Sequence, residues 1–275
     1  VSPTEARHRV LFAAQVVVGF GLFGIGSALL TLSLPLLWSL CFFRRERMER
    51  VTRACIRAAF SAIFAMTRAL GFARLETNFH AQVRGPALLA CNHISLFDVL
   101  AVIARVPGTF TFVKSSFVRI PLLRYIILSS GFIPVDPASP SQSAEAYARA
   151  LSRLREGAVF VVFPEGTRSS DGRLGAFHKG VFRLARSAGV PLTPVRFSAT
   201  GPLVNKRVLK RIDGRPVTLR MEVFPCAAHL AEQEDHLNMS QEGNTSAAGS
   251  ALEQEMAALR RFFERRGIAI DGGTT

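Results

Sequence analysis

Two short runs in this chain bring together residue types that can move protons and hold charge. The first is Cys91, Asn92, His93, Ile94, Ser95, Leu96, Phe97, Asp98. If the chain turns at His93 into a helix, Asp98 returns about one turn later to face the imidazole. The carboxylate then accepts the Nδ1 proton, fixes the tautomer, and stabilises the imidazolium formed when Nε2 takes a proton. Such a pair is a general base with no nucleophile of its own, so the hydroxyl it activates belongs to a substrate. Ser95 and Cys91 are near enough to be considered for covalent catalysis, but neither sits in a Gly-x-Ser-x-Gly elbow. A histidine and an aspartate at this spacing also occur as a merely structural hydrogen-bonded pair, so the motif needs company.

Company comes about 70 residues later, where the apolar Val161, Val162, Phe163 run into Pro164, Glu165, Gly166, Thr167, Arg168, Ser169, Ser170, Asp171, Gly172. A strand ending in Pro and Gly leaves backbone N–H groups free, and Gly166 permits close approach of an oxygen or phosphate. Arg168 can grip a phosphate or carboxylate with two parallel hydrogen bonds, Thr167 can donate a hydroxyl, and Glu165 can orient a glycerol-like hydroxyl. Ser169 to Gly172 alone would pass for a polar turn.

Both runs follow apolar segments, and those segments define the scaffold. Candidate strands are Ala87–Cys91, Gly108–Val113, Gly131–Val135, Ala158–Phe163, Leu192–Ser198 and Val217–Phe224. Candidate helices are Leu96–Arg105, Pro121–Ser129, Ser143–Arg155, Lys179–Ala188 and Leu252–Arg266. Alternation of this kind predicts an α/β fold, a mixed sheet flanked by helices, and in such sheets ligands gather where loops leave the carboxyl ends of strands. Residues 231–250 are polar and aperiodic, and read as a linker before a terminal amphipathic helix.

The chain is 49% hydrophobic yet carries a formal net charge of +14, and the two properties sit in different places. Val10 to Phe43 contains no charged residue over 34 positions, enough to cross a bilayer and too long for a signal-peptide core. Gly19, Gly21, Gly24, Gly26 and Pro35 offer breaks, so a re-entrant hairpin stands beside a single span and a buried core helix. Arginines flank both ends, and the positive-inside rule then favours the hairpin, with both ends cytoplasmic. Positions 44–76 hold eight arginines against three acids, with Arg50, Arg53, Arg57 and Arg68 on one helical stripe and Val51, Cys55, Ala59, Met66 and Leu70 roughly opposite. That pattern predicts an amphipathic helix on an anionic membrane surface, or the solvated face of an ordinary helix. A second basic cluster comprises Lys206, Arg207, Lys210, Arg211, Arg215 and Arg220. Few aromatics interleave with these clusters, which argues against a nucleic-acid partner. Cys41, Cys55, Cys91 and Cys226 form no CxxC pair and read as free thiols of a reducing compartment. The expected organisation is a membrane anchor over 1–43, a basic surface helix over 44–76, a catalytic domain over 77–230, and a linker with a terminal helix over 231–275.

The two motifs, in this order and spacing, resemble those of the 1-acylglycerol-3-phosphate acyltransferase family. Asn92, His93 and Asp98 match its NHxxxxD signature, and Phe163 to Ser169 its FPEGTRS signature. Supporting matches are Lys114 ahead of Ile120 and Pro121, the FxKG-like Phe177 to Gly180, and the run Val190 to Val195. The resemblance covers roughly residues 85–200. It implies transfer of a fatty acyl group from an acyl carrier protein or coenzyme A thioester to the hydroxyl of a lysolipid, with 1-acylglycerol-3-phosphate as the expected acceptor. His93 would be the base and Asp98 its partner, while Asn92, Lys114, Glu165, Gly166, Thr167 and Arg168 would bind substrate. Backbone N–H groups around Gly166 are the candidate donors to the tetrahedral oxyanion. No metal and no bound cofactor are expected, only the thioester as co-substrate. Expected partners are anionic membrane lipids, the lysolipid and the acyl donor, with the enzyme on the cytoplasmic face of a membrane, the inner membrane if the source is bacterial.

One departure bears on the acceptor. The family's second motif ends in an arginine that helps to bind the glycerol phosphate, and here Gly131 to Asp136 is followed by Pro137, which cannot donate a hydrogen bond. Either Lys114, Arg119, Arg124 or Arg173 supplies the charge, or the acceptor is a different lysolipid or specialised envelope lipid. A reading of another class is a membrane-tethered lipid-binding protein in which the motifs are structural.

Overall fold

Ala87–Cys91 is five small or apolar residues in a row, every one buried, as expected of a strand covered on both faces. This strand, β2, is the middle of a seven-stranded sheet in a computed structural model that describes residues 3–169, 173–200, 217–226 and 251–266. The other strands are β1 (Ala73–Phe79), β3 (Phe110–Lys114), β4 (Ile133–Val135), β5 (Val159–Val162), β6 (Leu192–Ala199) and β7 (Val217–Val223). Their order is β1-β7-β6-β2-β5-β3-β4. Strands β6, β2, β5, β3 and β4 are mutually parallel, β7 runs antiparallel to β6, and β1 is parallel to β7, so the sheet is mixed as expected.

Successive residues of β2 point to opposite faces. Leu88 and Ala90 join a core with Phe160, Val162 and the helices α5 (Pro140–Arg155), α6 (Lys179–Ala188) and α7 (Ala251–Arg265). Leu89 and Cys91 join a second core with Val161, Phe64 of α2 (Arg45–Ala69) and Ala101 and Val102 of α3 (Phe97–Arg105). A third cluster, Ile56, Ile103, Ile126, Ile127 and Phe132, ties α2 and α3 to α4 (Pro121–Ser130). A 3₁₀ turn, Ser115–Arg119, joins β3 to α4. The result is a three-layer α/β/α arrangement. The terminal helix α7 is part of it, burying Leu259, Phe262 and Phe263 in the first core.

The anchor and the basic helix both need correction. Residues 10–43 do not break into a hairpin: α1 runs unbroken from Pro3 to Leu40 through all four glycines and Pro35. Glycine retains its N–H for the helical ladder, and one proline removes a single bond from a long helix. Its segment Val17–Leu40 is long and apolar enough to cross a membrane, and only 12% of its most apolar window is buried. The chain reverses instead at Cys41–Phe43, and α2 folds back along α1, with Phe23 stacked on Phe60 and Leu34, Cys41 and Met48 in one cluster.

Helix α2 does not carry four arginines on an open stripe. Arg50, Arg57 and Arg68 are exposed, but Arg53 is buried, donating to the Ser130 carbonyl at 2.7 Å and lying 3.8 Å from the Phe110 ring centroid. Glu49, also buried, accepts from Arg153 at 2.6 Å and from Arg45 at 3.0 Å, with Arg53 at 3.8 Å. Burial lowers the Arg53 pKa to about 10, against the opposing pull of Glu49. The inward face is thus Met48, Glu49, Thr52, Arg53, Ile56 and Phe64 rather than Val51, Cys55, Ala59, Met66 and Leu70. The expected helix over 44–76 also ends early, at Ala69, with Gly71 at φ +71°, and the chain enters the unforeseen edge strand β1. Arg220 of the second basic cluster pairs with Glu76 across β7 and β1 at 3.0 Å. Its other members, and the linker over 231–250, lie outside the described residues.

Candidate active site

Because five neighbouring strands are parallel, their carboxyl ends share one edge, and the loops leaving β2, β5, β3 and β4 bring His93, Glu165, Lys114 and Pro137 to it. Asn92 fixes the first of these loops. It is buried, donates from Nδ2 to the Phe197 carbonyl at 2.9 Å and accepts the Phe197 N–H at 2.6 Å, pinning the end of β2 to β6. Its expected role in binding substrate is therefore replaced by a structural one.

His93 and Asp98 meet as the spacing predicted, with Nδ1 2.9 Å from Oδ2. Asp98 stands in the first turn of α3 and is wholly buried. Oδ2 also accepts the backbone N–H groups of Ile94 and Ser95, each at 2.7 Å, and Oδ1 accepts the Ser95 hydroxyl at 2.5 Å. A carboxylate at a helix start, holding orphan N–H groups, is favoured by the helix dipole as well. The His93 ring leans on Phe163, with centroids 4.1 Å apart and the planes tilted by 30°, and its side chain is 17% exposed. Nδ1 is occupied, so Nε2 is the nitrogen left for a substrate. Ser95 and Cys91 are both fully buried, and burial raises the Cys91 thiol well above its ordinary pKa, so neither is a nucleophile. Sequence reasoning missed the supporting parts of Ser95 and Phe163, although both lie inside the motifs it singled out.

Glu165 faces inward. Oε1 accepts the His93 backbone N–H at 3.0 Å and Oε2 accepts the Gly175 N–H at 2.8 Å, so this carboxylate ties the two catalytic loops together instead of orienting an acceptor hydroxyl. A second strut runs from the Ser169 N–H to the His93 carbonyl at 2.8 Å. Burial raises the Glu165 pKa, opposed by the two backbone N–H donors and by His93. Gly175 is in turn held from the far side by α7: its carbonyl accepts from Arg260 Nη1 at 3.2 Å, Phe177 stands edge-on to Phe263, and Lys179 pairs with Glu253 at 3.2 Å.

Gly166 is favoured as glycine by its backbone, and a side chain there would also have to displace His178. Its φ is +65°, and an added Cβ would lie 2.8 Å from His178 Nε2. Its own N–H donates to the Phe163 carbonyl at 2.9 Å, which removes it from the candidate oxyanion donors. Thr167 is exposed and Arg168 half-buried at the same edge, and neither has a hydrogen-bond or ion-pair partner among the described residues. Both side chains are thus left open at the edge that carries His93. Lys114 is exposed at the end of β3, two strands from β2 and hence roughly 10 Å away at ~4.8 Å per strand. Pro137 follows β4, one strand further, in a turn held by Asp136.

Comparison with known proteins finds acyltransferases. Residues 73–198 match the Acyltransferase family model. Over 120 residues, 43% of this chain and 33% of the relative, the sequence is 33% identical to a chloroplastic 1-acyl-sn-glycerol-3-phosphate acyltransferase of Arabidopsis thaliana. Over 119 residues, 43% of this chain and 48% of the relative, it is 32% identical to the 1-acyl-sn-glycerol-3-phosphate acyltransferase of Borreliella burgdorferi. The matched stretch thus spans a third to about half of these relatives. The fold is that of the crystal structure of the 1-acyl-sn-glycerophosphate acyltransferase of Thermotoga maritima, at a TM-score of 0.55 and 19% identity, over 90% of this chain and 99% of that one.

Proposed function

We propose that the chain is a member of the 1-acylglycerol-3-phosphate acyltransferase family, a reading supported by its match to the Acyltransferase family model and its likeness to named members, and that it moves a fatty acyl group from an acyl carrier protein or coenzyme A thioester to the free hydroxyl of 1-acylglycerol-3-phosphate. The observation that carries this reading is the His93–Asp98 pair at 2.9 Å, with Nε2 left toward the edge where Arg168 has no partner among the described residues. Nε2 takes the hydroxyl proton as the oxygen attacks the thioester carbonyl. The carbon–sulfur bond then breaks, and the thiolate leaves with the proton that the imidazolium returns. An alcohol is far too weak an acid to ionise first, so the proton moves in concert with attack, a contribution of about 10² to 10⁴ in rate. Arg168 and the N–H groups of Thr167 and Arg168 are the donors placed to meet the phosphate or the oxyanion.

His93→Ala is expected to abolish transfer in purified protein while leaving the fold, read by circular dichroism, intact. Asp98→Asn is expected to lower kcat by on the order of 10³ to 10⁴, as the amide would present N–H to the N–H groups of Ile94 and Ser95 and release the ring. Undiminished turnover in either variant would remove the base assignment. Pro137 supports a second reading, the same chemistry on a lysolipid without a phosphomonoester head. A panel of lysolipids and both thioester donors decides between the two: strong selectivity for 1-acylglycerol-3-phosphate means that Arg168 or Lys114 has assumed the arginine's part. The apolar α1 supports a membrane location, and the arginines at both of its ends support a site on the cytoplasmic face.

A further inference from the structure

Helices on the outside of a domain turn their polar residues to water, and α4 does not. Its outward positions, spaced at 121, 124, 125 and 128, are Pro121, Arg124, Tyr125 and Leu128, with Tyr125 57% and Leu128 44% exposed. The 3₁₀ turn before it exposes Phe117 and Ile120 in the same way. From Lys114 to Val135 there is no acidic residue, while Lys114, Arg119 and Arg124 are exposed with no ion-pair partner among the described residues. Aromatic and aliphatic side chains mixed with unpaired cations are the composition of a surface seated at the boundary of an anionic bilayer.

Two placements connect this face to the chemistry. The 3₁₀ turn starts where β3 ends, on the edge that carries His93. Helix α1 lies against the start of α4, Thr31 Oγ1 donating to the Leu122 carbonyl at 3.0 Å, so the apolar flank of α1 continues into Tyr125 and Leu128. Taking the chain as a membrane-seated acyltransferase, on which this inference rests, we infer that Phe117, Ile120, Arg119, Arg124 and Tyr125 form a second membrane contact. Anionic lipid headgroups are its partner, chosen by charge complementarity and by continuity with α1. The contact joins α1 in setting the attitude of the domain, and this face turns the catalytic edge toward the lysolipid.

The test uses the full chain with Trp38→Phe, carrying either Tyr125→Trp or, as control, Tyr147→Trp on α5 across the sheet. Vesicles of phosphatidylcholine, with or without one-third phosphatidylglycerol, contain acyl chains brominated as quenchers. Tryptophan at 125 is expected to shift to the blue and be quenched in the anionic vesicles, and tryptophan at 147 to do neither. Arg119→Gln with Arg124→Gln should weaken partition onto anionic vesicles by about fivefold per charge removed. Phe117→Ser with Tyr125→Ser should slow transfer to vesicle-borne acceptor and spare transfer to acceptor dispersed in detergent. Equal quenching at both positions would overturn the inference. So would a dimer in detergent that Tyr125→Ser dissociates, since the face would then belong to a second copy. Quenching at 125 in a protein inert toward every thioester and lysolipid would uphold the surface and dismiss the acyltransferase reading instead.

Discussion

At the level of single residues, the site is held by carboxylates that hold backbone. Asp98 collects three N–H groups and a hydroxyl, and Glu165 collects two N–H groups from loops that are far apart in sequence. Glu165 is held with its proton more tightly in the fold than in the unfolded chain, because burial raises its pKa above the ordinary 4.5. The folded state therefore binds more protons just above pH 4.5, and stability attributable to this group falls as pH rises from there through the raised value. Glu165→Gln removes the titration, so the difference in Tm between wild type and variant should shrink or change sign as pH rises through that window. A difference independent of pH would show that Glu165 does not titrate there. The histidine and aspartate were legible in sequence because five residues of local chain bring them together. Asn92 and Glu165 were misread because their partners, Phe197 and Gly175, are set by sheet pairing and a loop return that spacing does not encode.

At the level of elements, strands of the central sheet were the most legible, since runs buried on both faces are apolar without interruption. β1 escaped because it is an edge strand, ARLETNF, with charges on its exposed face. Helix α2 was legible as a helix and misread in its facing: a guanidinium at Arg53 can be turned inward only if a buried acid awaits it, and Glu49 does so one turn earlier. The pairing of α1 with α2 also bears on how α1 meets a membrane. Its C-terminal half is packed along α2, whose Arg47, Arg50 and Arg57 are exposed, and carrying each of these into hydrocarbon costs about 2.5 to 3.5 kcal/mol. A full crossing with the pair intact is therefore disfavoured against α1 lying in one leaflet with α2 at the interface. A single reactive cysteine at Glu5 and one at Glu46, each in a cysteine-free background, should then be modified by an impermeant thiol reagent from the same side of sealed vesicles. Modification from opposite sides would establish a span.

At the level of the whole molecule, the matched domain ends at residue 198, but the fold that supports its chemistry does not. Phe263 fills the first core, and Arg260 reaches the loop whose Gly175 holds Glu165, which in turn holds the His93 backbone. Phe263→Ala is expected to cost ~3 to 5 kcal/mol of stability. Below its unfolding temperature, that variant should also show faster hydrogen exchange at the Gly175 amide and reduced turnover. Exchange and turnover that match the wild type would make α7 a passive cover. This support was not readable from sequence, where α7 stands apart from the motifs behind a polar stretch.

The position of α7 gives the catalytic centre a place in time. Every residue that touches substrate in the proposed reaction is synthesised before it, yet the brace behind Glu165 is the last described element to leave the ribosome. A chain released only through β7 would lack the contacts that Arg260 and Phe263 make behind the catalytic loops, and if α7 braces the site, full activity is expected only once translation has passed it.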